Sequence, residues 1–286
     1  STMDEDGLPE SIAMTAEEAV QRTDDLYERF HGKGNLKVFY SLRSLISCSE
    51  ELIEMAAERA KEKKTTIQAH MNEYPGEINP YLSRYQKRPY EFLEEKGVLG
   101  PWFLGAHSLL LSEEEKELIR ERGVRICHCP FSNCGKAVPD TPSLLKKGIP
   151  VGLGTDGAAH GGLSIWNEMK IFRSVMNVTH GAPLAEPAVM PAKKILDIAV
   201  KGGAACLGEE PATIAVGKRA DLIGIDMDAP HLWIHGKISN TLLESVGAGD
   251  VKDMIVGGRF LMRNREILTL DEEKIRSEAL AFEKGE

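Results

Sequence analysis

Apolar residues recur at helical spacing over Thr15–Phe30, where Ala19, Val20 and Leu26 form one stripe and Thr15 with Glu18 reads as a capping box. An apolar run, Leu36–Leu42, follows Gly34, and Ser47 with Glu50 predicts a helix through about Lys61. Thr65–His70 is β-rich. After a mixed segment through Glu95 come Trp102–His107, Val124–Cys129 and Pro150–Asp156, each with the pattern of a short strand. Ser112 with Glu115 caps the helical pattern that separates the first two of these, and Gly123 and Gly148 close the helical patterns that precede the last two. Short strands alternating with helices predict a parallel α/β sheet covered by helices. Further helices are predicted at Leu163–Met176 and Lys193–Leu207. From Ile214 the pattern changes: a turn at 217–221 leads into a strand, Leu222–Met227. Lys252–Val256, Gly257-Gly258 and Arg259–Met262 then read as a hairpin, and a last helix starts near Asp271. The expected division is a barrel-type region over 1–208 and a β-rich region with a terminal helix over 209–286.

The polar residues decide which α/β fold to expect. The apolar runs end in Arg43, in His70 followed by Glu73, in His107, in His128 and in Asp156. Barrel enzymes draw their sites from the C-terminal ends of several strands around one mouth. An open doubly wound sheet concentrates its ligand at one switch point, commonly with a glycine-rich phosphate loop. GxxxxGK[ST] does not occur in the chain, and the one GxGxxG match, Gly152–Gly157, encloses the strand-end Asp156, so the pattern points to a TIM-type barrel.

Composition narrows the setting. A net charge of −9 argues against a broad nucleic-acid footprint. No run approaches the roughly 18 apolar residues of a membrane span, and the acidic start STMDEDGLPES is unlike a secretory signal. Five cysteines without CxxC spacing suit a reduced interior. The expectation is a cytoplasmic protein without membrane or nucleic-acid partners.

Imidazoles and a carboxylate are the donor set of a catalytic zinc or ferrous site, so His70, His107 and Asp156, with Glu73 nearby, are candidates for one divalent metal and its proton chemistry. The same residues also have plain readings: hydrogen-bonded strand-end histidines, a solvated glutamate, and an aspartate forming the Gly-Thr-Asp-Gly turn. Cys129 and Cys134 offer thiolates across a proline-containing loop, or are simply buried thiols beside a packed His128. His160, four residues past Asp156, is a candidate substrate contact. Trp102 and Trp166 read as core residues, and His31, His180, His231 and His235 as loop residues.

Five segments together resemble a known family. His70-Met71-Asn72-Glu73 is similar to the HxxE motif of the amidohydrolase superfamily, in its nucleobase and triazine deaminase branch. Ala106-His107-Ser108 resembles that branch's AHC, and His128-Cys129-Pro130-Phe131-Ser132-Asn133 its HCPxSN. Gly152–Gly157 resembles its GxGTDG, and Gly217–Leu222 the GxxADL of its flanking β-sandwich. The resemblance implies hydrolytic deamination of a purine, pyrimidine, pterin or triazine by metal-activated water. His70 and Asp156 would hold the metal, and Asp156 would take a proton from the water. His107 would hydrogen-bond the nucleophile or substrate, Glu73 would protonate the heterocycle, and Arg43 would contact it. The family's first strand ends in HxH, which is found nowhere in this sequence. The expectation is therefore an incomplete (β/α)8 barrel, about strands 4–8, with a small C-terminal β-sandwich portion. A homo-oligomer or a partner segment would complete it; the alternative is a non-catalytic or half-site subunit whose partner supplies HxH.

Overall fold

The computed structural model describes residues 2–4, 12–157, 162–186, 188–234 and 236–284. The chain forms two compact units, Ser1–Pro211 and Ala212–Glu286.

Five parallel strands organise the first unit: β1 (Tyr40–Ser44), β2 (Ile67–Met71), β3 (Phe103–His107), β4 (Arg125–His128) and β5 (Val151–Leu153). They lie side by side in chain order with no reversal, whereas a doubly wound sheet reverses at its switch point. Thr2 continues the series with a single parallel bridge to Leu42 on the outer side of β1.

Around this sheet run α1 (Ala16–Phe30), α2 (Glu50–Glu62), α3 (Pro75–Tyr85), α4 (Pro89–Glu95), α5 (Glu113–Arg122), α6 (Pro130–Asn133), α7 (Thr141–Lys146), α8 (Ile165–Met176), α9 (Ala192–Asp197) and α10 (Gly203–Cys206). The Thr15 and Ser112 capping boxes form as the sequence predicts. The cap of α2 is Ser49 rather than Ser47: its hydroxyl accepts from Leu52 N, while the Asp4 carboxylate accepts from Ser49 N at 2.7 Å. Leu36–Leu42 also shifts, because the ladder to β2 starts only at Tyr40. The mixed segment through Glu95 contains two helices, each opened by a proline at its first position, where a missing N–H costs nothing. Their formation is settled by burial of Ile78, Tyr81, Tyr90, Phe92 and Leu93.

One face of the sheet packs on the helices through Tyr40, Leu42, Ile67, Ala69, Phe103 and Ile126, all buried. Side chains alternate along a strand, and the other face carries Ser41, Arg43, Gln68, His70 and Cys127, all at least partly accessible. Trp102 and Trp166 are half-buried rather than core residues.

The second unit is an antiparallel sheet of β6 (Leu222–Ile225), β7 (Val251–Val256), β8 (Arg259–Arg263) and β9 (Glu266–Ile267), with α11 (Ile238–Asn240) and α12 (Glu272–Lys284). Gly257 and Gly258 form the predicted hairpin turn at φ 57° and 80°, the left-handed pair that a two-residue hairpin demands. Asp221 of the GKRADL segment anchors that turn, its carboxylate accepting from Gly257 N at 2.7 Å. Among the described residues no helix is long and apolar enough to cross a membrane.

Candidate metal centre

The loops that leave β2, β3 and β5 place the polar residues by left-handed backbone. Asn72, His107, Ser108 and Asp156 have φ of 49°, 66°, 52° and 55°, a conformation that costs non-glycine residues and persists only where the surroundings impose it. After β2 and β3 those surroundings are a buried network around Glu115. Its carboxylate accepts from Asn72 Nδ2 at 2.9 Å, from Arg88 Nε at 2.8 Å and from Ser112 N at 3.0 Å. Asn72 O in turn accepts from Leu109 N and Leu110 N, and Ser108 N donates to Met71 O. Tyr90 Oη and Ser108 Oγ share a hydrogen bond of 2.7 Å. A capping residue foreseen in the sequence thus props the loops of two strand ends.

On this frame His70, His107 and Asp156 each offer one donor atom, and the three atoms lie within 4.8 Å of one another. The two imidazole centroids are 4.9 Å apart. Glu73, buried, brings Oε1 to 3.3 Å from His107 Nδ1, and the Lys136 ammonium also pairs with that oxygen. Ser132 Oγ donates to Asp156 Oδ2 at 2.7 Å, and Asn133 Nδ2 lies 2.8 Å from His107 Nδ1.

Burial lowers the His107 pKa to about 4. Burial also lowers His70, helped by the nearby positive charge of Arg43. Burial pushes Asp156 up, but the Ser132 hydroxyl and the two imidazoles outweigh it and hold the carboxyl below its usual range. The centre therefore presents neutral imidazoles and an ionised carboxylate at neutral pH, the protonation state that metal binding needs.

The structure thus brings His70, Glu73, His107 and Asp156 together, with Arg43 exposed on β1 near His70. His160 lies outside the described residues, as does His235. His128 is fully buried and its Nδ1 meets His107 O at 2.6 Å, so it supports the neighbouring strand end. Cys129 is buried, whereas Cys134 is exposed. Neither belongs to the donor group found among the described residues. Lys136, Ser132 and Asn133 were not singled out from the sequence. The signal for the last two was present: a hydroxyl and an amide three and four residues after Cys129, in a loop leaving a strand end.

Fold and centre together define a parallel α/β protein whose polar residues converge at the C-terminal ends of its strands. The chain belongs to the amidohydrolase family, whose sequence profile matches residues 7–261. It is 36% identical over 249 residues to a 5'-deoxyadenosine deaminase of Methanosarcina acetivorans, covering 86% of this chain and 57% of that protein. It is 33% identical over 265 residues to a 5-methylthioadenosine/S-adenosylhomocysteine deaminase of Syntrophobacter fumaroxidans, covering 91% and 59%. The chain thus spans less than two thirds of the length of these relatives. Its fold is shared with a zinc-bound adenosine deaminase of Xanthomonas campestris, with a TM-score of 0.90 at 22% identity over 99% of this chain and 64% of that one. An atrazine chlorohydrolase of Arthrobacter aurescens in complex with zinc gives a TM-score of 0.84 at 23% identity, over 96% and 61%.

Proposed function

We propose that this chain carries part of a metal-dependent hydrolase centre that deaminates a nitrogen heterocycle. The observation that carries the reading is the convergence of His70, His107 and Asp156 from three strands, with donor atoms within 4.8 Å, beside a buried Glu73. Neutral imidazole and carboxylate donors fit zinc or ferrous iron, and the zinc of the structural neighbours favours zinc. His70 and Asp156 would hold the ion. When bound, a divalent cation makes water acidic enough to serve as a nucleophile near neutral pH. Asp156 takes the proton that water gives up. His107 donates a hydrogen bond to the oxygen entering the heterocycle. Glu73, with Oε1 held by Lys136, delivers a proton through Oε2 to a ring nitrogen. The exocyclic amine takes the proton held by Asp156 and leaves as ammonia, one C–N bond being exchanged for one C–O bond, and the proton of the added hydroxyl restores Glu73. Arg43 and His160 are assigned to substrate contact, and the relatives' names favour an adenine nucleoside.

The five strands are read as one arc of a (β/α)8 barrel, supported by their unreversed parallel order. The antiparallel unit from Ala212 is read as a portion of a β-sandwich. A second reading has its own support: a catalytic zinc takes three or more protein ligands, and HxH is absent from the sequence. On this reading a partner segment supplies the remaining ligands and closes the barrel.

Zinc content and ammonia release separate the readings. The chain alone, and the chain mixed with the HxH-bearing segment of a relative, are assayed with 5'-deoxyadenosine, adenosine, guanine and a triazine. Ammonia from the adenine nucleosides, lost in Glu73→Gln, is the expected result for the completed protein. Stoichiometric zinc and turnover by the chain alone would overturn the half-site reading. A zinc-loaded, completed protein that releases ammonia from none of the four would overturn deamination.

A further inference from the structure

We propose that Asn133 sets the tautomer of His107, keeping the ring proton on Nε2, so that this imidazole enters the centre as a hydrogen-bond donor and not as a metal ligand. The argument turns on one amide whose orientation is pinned from outside. Asn133 is 2% exposed, and Cys129 N donates to its Oδ1 at 2.9 Å. A backbone N–H only donates, so Oδ1 must face Cys129 and Nδ2 must face His107. Nδ2 also only donates. Its partner at 2.8 Å, His107 Nδ1, is therefore bare, which excludes the doubly protonated ring as well. A neutral imidazole with a bare Nδ1 carries its proton on Nε2.

Glu73 Oε1, 3.3 Å from Nδ1, is the competing acceptor that would favour the opposite tautomer. The Lys136 ammonium supplies that oxygen with its own donor, which relieves its opposition to the lone pair on Nδ1. Neither neighbouring imidazole is hydrogen-bonded to Nδ1: the His70 ring is tilted by 40° with centroids 4.9 Å away, and His128 meets His107 at its backbone carbonyl. Coordination requires a bare nitrogen. Nδ1 is taken by the amide and Nε2 is protonated, which leaves His70 and Asp156 as the ligands contributed by this cluster. The donor's use in catalysis rests on the hydrolase reading; the tautomer is a property of the folded chain alone.

Nitrogen-15 labelling of histidine and long-range proton–nitrogen correlation spectra at pH 7 test it, with the His107 ring identified by its loss in His107→Gln. The expected pattern is a pyridine-like Nδ1 and a pyrrole-like Nε2 in the parent protein. Asn133→Asp, whose carboxylate only accepts, should move the proton to Nδ1. A protonated Nδ1 in the parent, or an unchanged pattern in a folded Asn133→Asp variant, would overturn the assignment. If that variant does not fold, the parent spectrum still decides. Zinc addition should shift the His70 ring while the His107 Nε2 proton persists; its loss would overturn the donor role. No turnover is read, so failure of the deaminase assay and failure of this assignment are separate results.

Discussion

The two ends of the five-stranded sheet carry different kinds of polar residue. At the C-terminal ends, donors face one another across a few ångströms, two of them, His107 and Asp156, on left-handed backbone. At the N-terminal ends polar groups bond to the scaffold, with Arg125 Nε left without a hydrogen-bond partner. Arg125, 6% exposed, donates through Nη1 to the carbonyls of Ala205 and Cys206 and through Nη2 to Thr66 Oγ1. Thr65 Oγ1 donates to Val38 O, and the Trp102 indole to Val98 O. Barrel folds separate chemistry from stability in this way, function at one end and scaffold at the other. A strand-end histidine and a buried arginine look equally notable in a sequence. Their partners tell them apart: mostly backbone carbonyls for the residues at one end, and a cluster of side-chain donor atoms at the other.

Substitutions can break this comparison. The largest effect is expected where scaffold and site overlap: Glu115→Ala strips the shared acceptor of Arg88 and Asn72, leaving the half-buried guanidinium with the Leu110 carbonyl as its remaining partner. It should cost about 3 kcal/mol in chemical denaturation and weaken zinc binding with it. His70→Ala should instead lower zinc affinity by about a hundredfold or more, roughly 2.7 kcal/mol, with little change in unfolding midpoint. Arg125→Met should do the reverse: it takes the guanidinium from the Cys206 carbonyl and the Thr66 hydroxyl, while Ala205 O keeps Gly208 N, costing about 2 kcal/mol with zinc affinity unchanged. If Arg125→Met abolished zinc binding, or His70→Ala unfolded the protein, the two ends would not be separable.

The last expected effect is a slope in pH. Burial holds His107 and His128 at about 4 in the folded protein, against 6.5 when free. The unfolded chain therefore binds protons that the folded one refuses. Stability is full above about pH 6.5 and falls as pH drops toward 4, by about 1.4 kcal/mol per pH unit for each ring. Urea midpoints between pH 7.5 and 4.5 read this directly; a flat profile would mean that neither ring is buried neutral.

Much of this was legible in the sequence, and the rest failed for identifiable reasons. Strand ends were readable because each apolar run stops at a polar residue, which is why His70, His107 and Asp156 stood out. The helices Pro75–Tyr85 and Pro89–Glu95 were not, because Pro75, Gly76, Asn79 and Pro80 resemble loop composition while the decisive term is burial of residues such as Tyr90, at 0% exposure. Ser47 was mistaken for Ser49 because both precede the helix; an aspartate 45 residues away selects between them. Lys136 was invisible because nothing local marks a lysine that reaches a carboxylate 63 positions earlier. Asn133 carried a readable motif without a readable reason, since its role depends on where both ends of one amide point.

The most direct test is an anomalous-scattering map at the zinc absorption edge from crystals of the completed, zinc-loaded protein. The account predicts one peak at bonding distance, about 2.0–2.2 Å, from a His70 ring nitrogen and an Asp156 oxygen, with His107 nearby but unbonded. A peak at the cysteines instead, or a zinc-loaded protein with His70 and Asp156 both away from the ion, would contradict it.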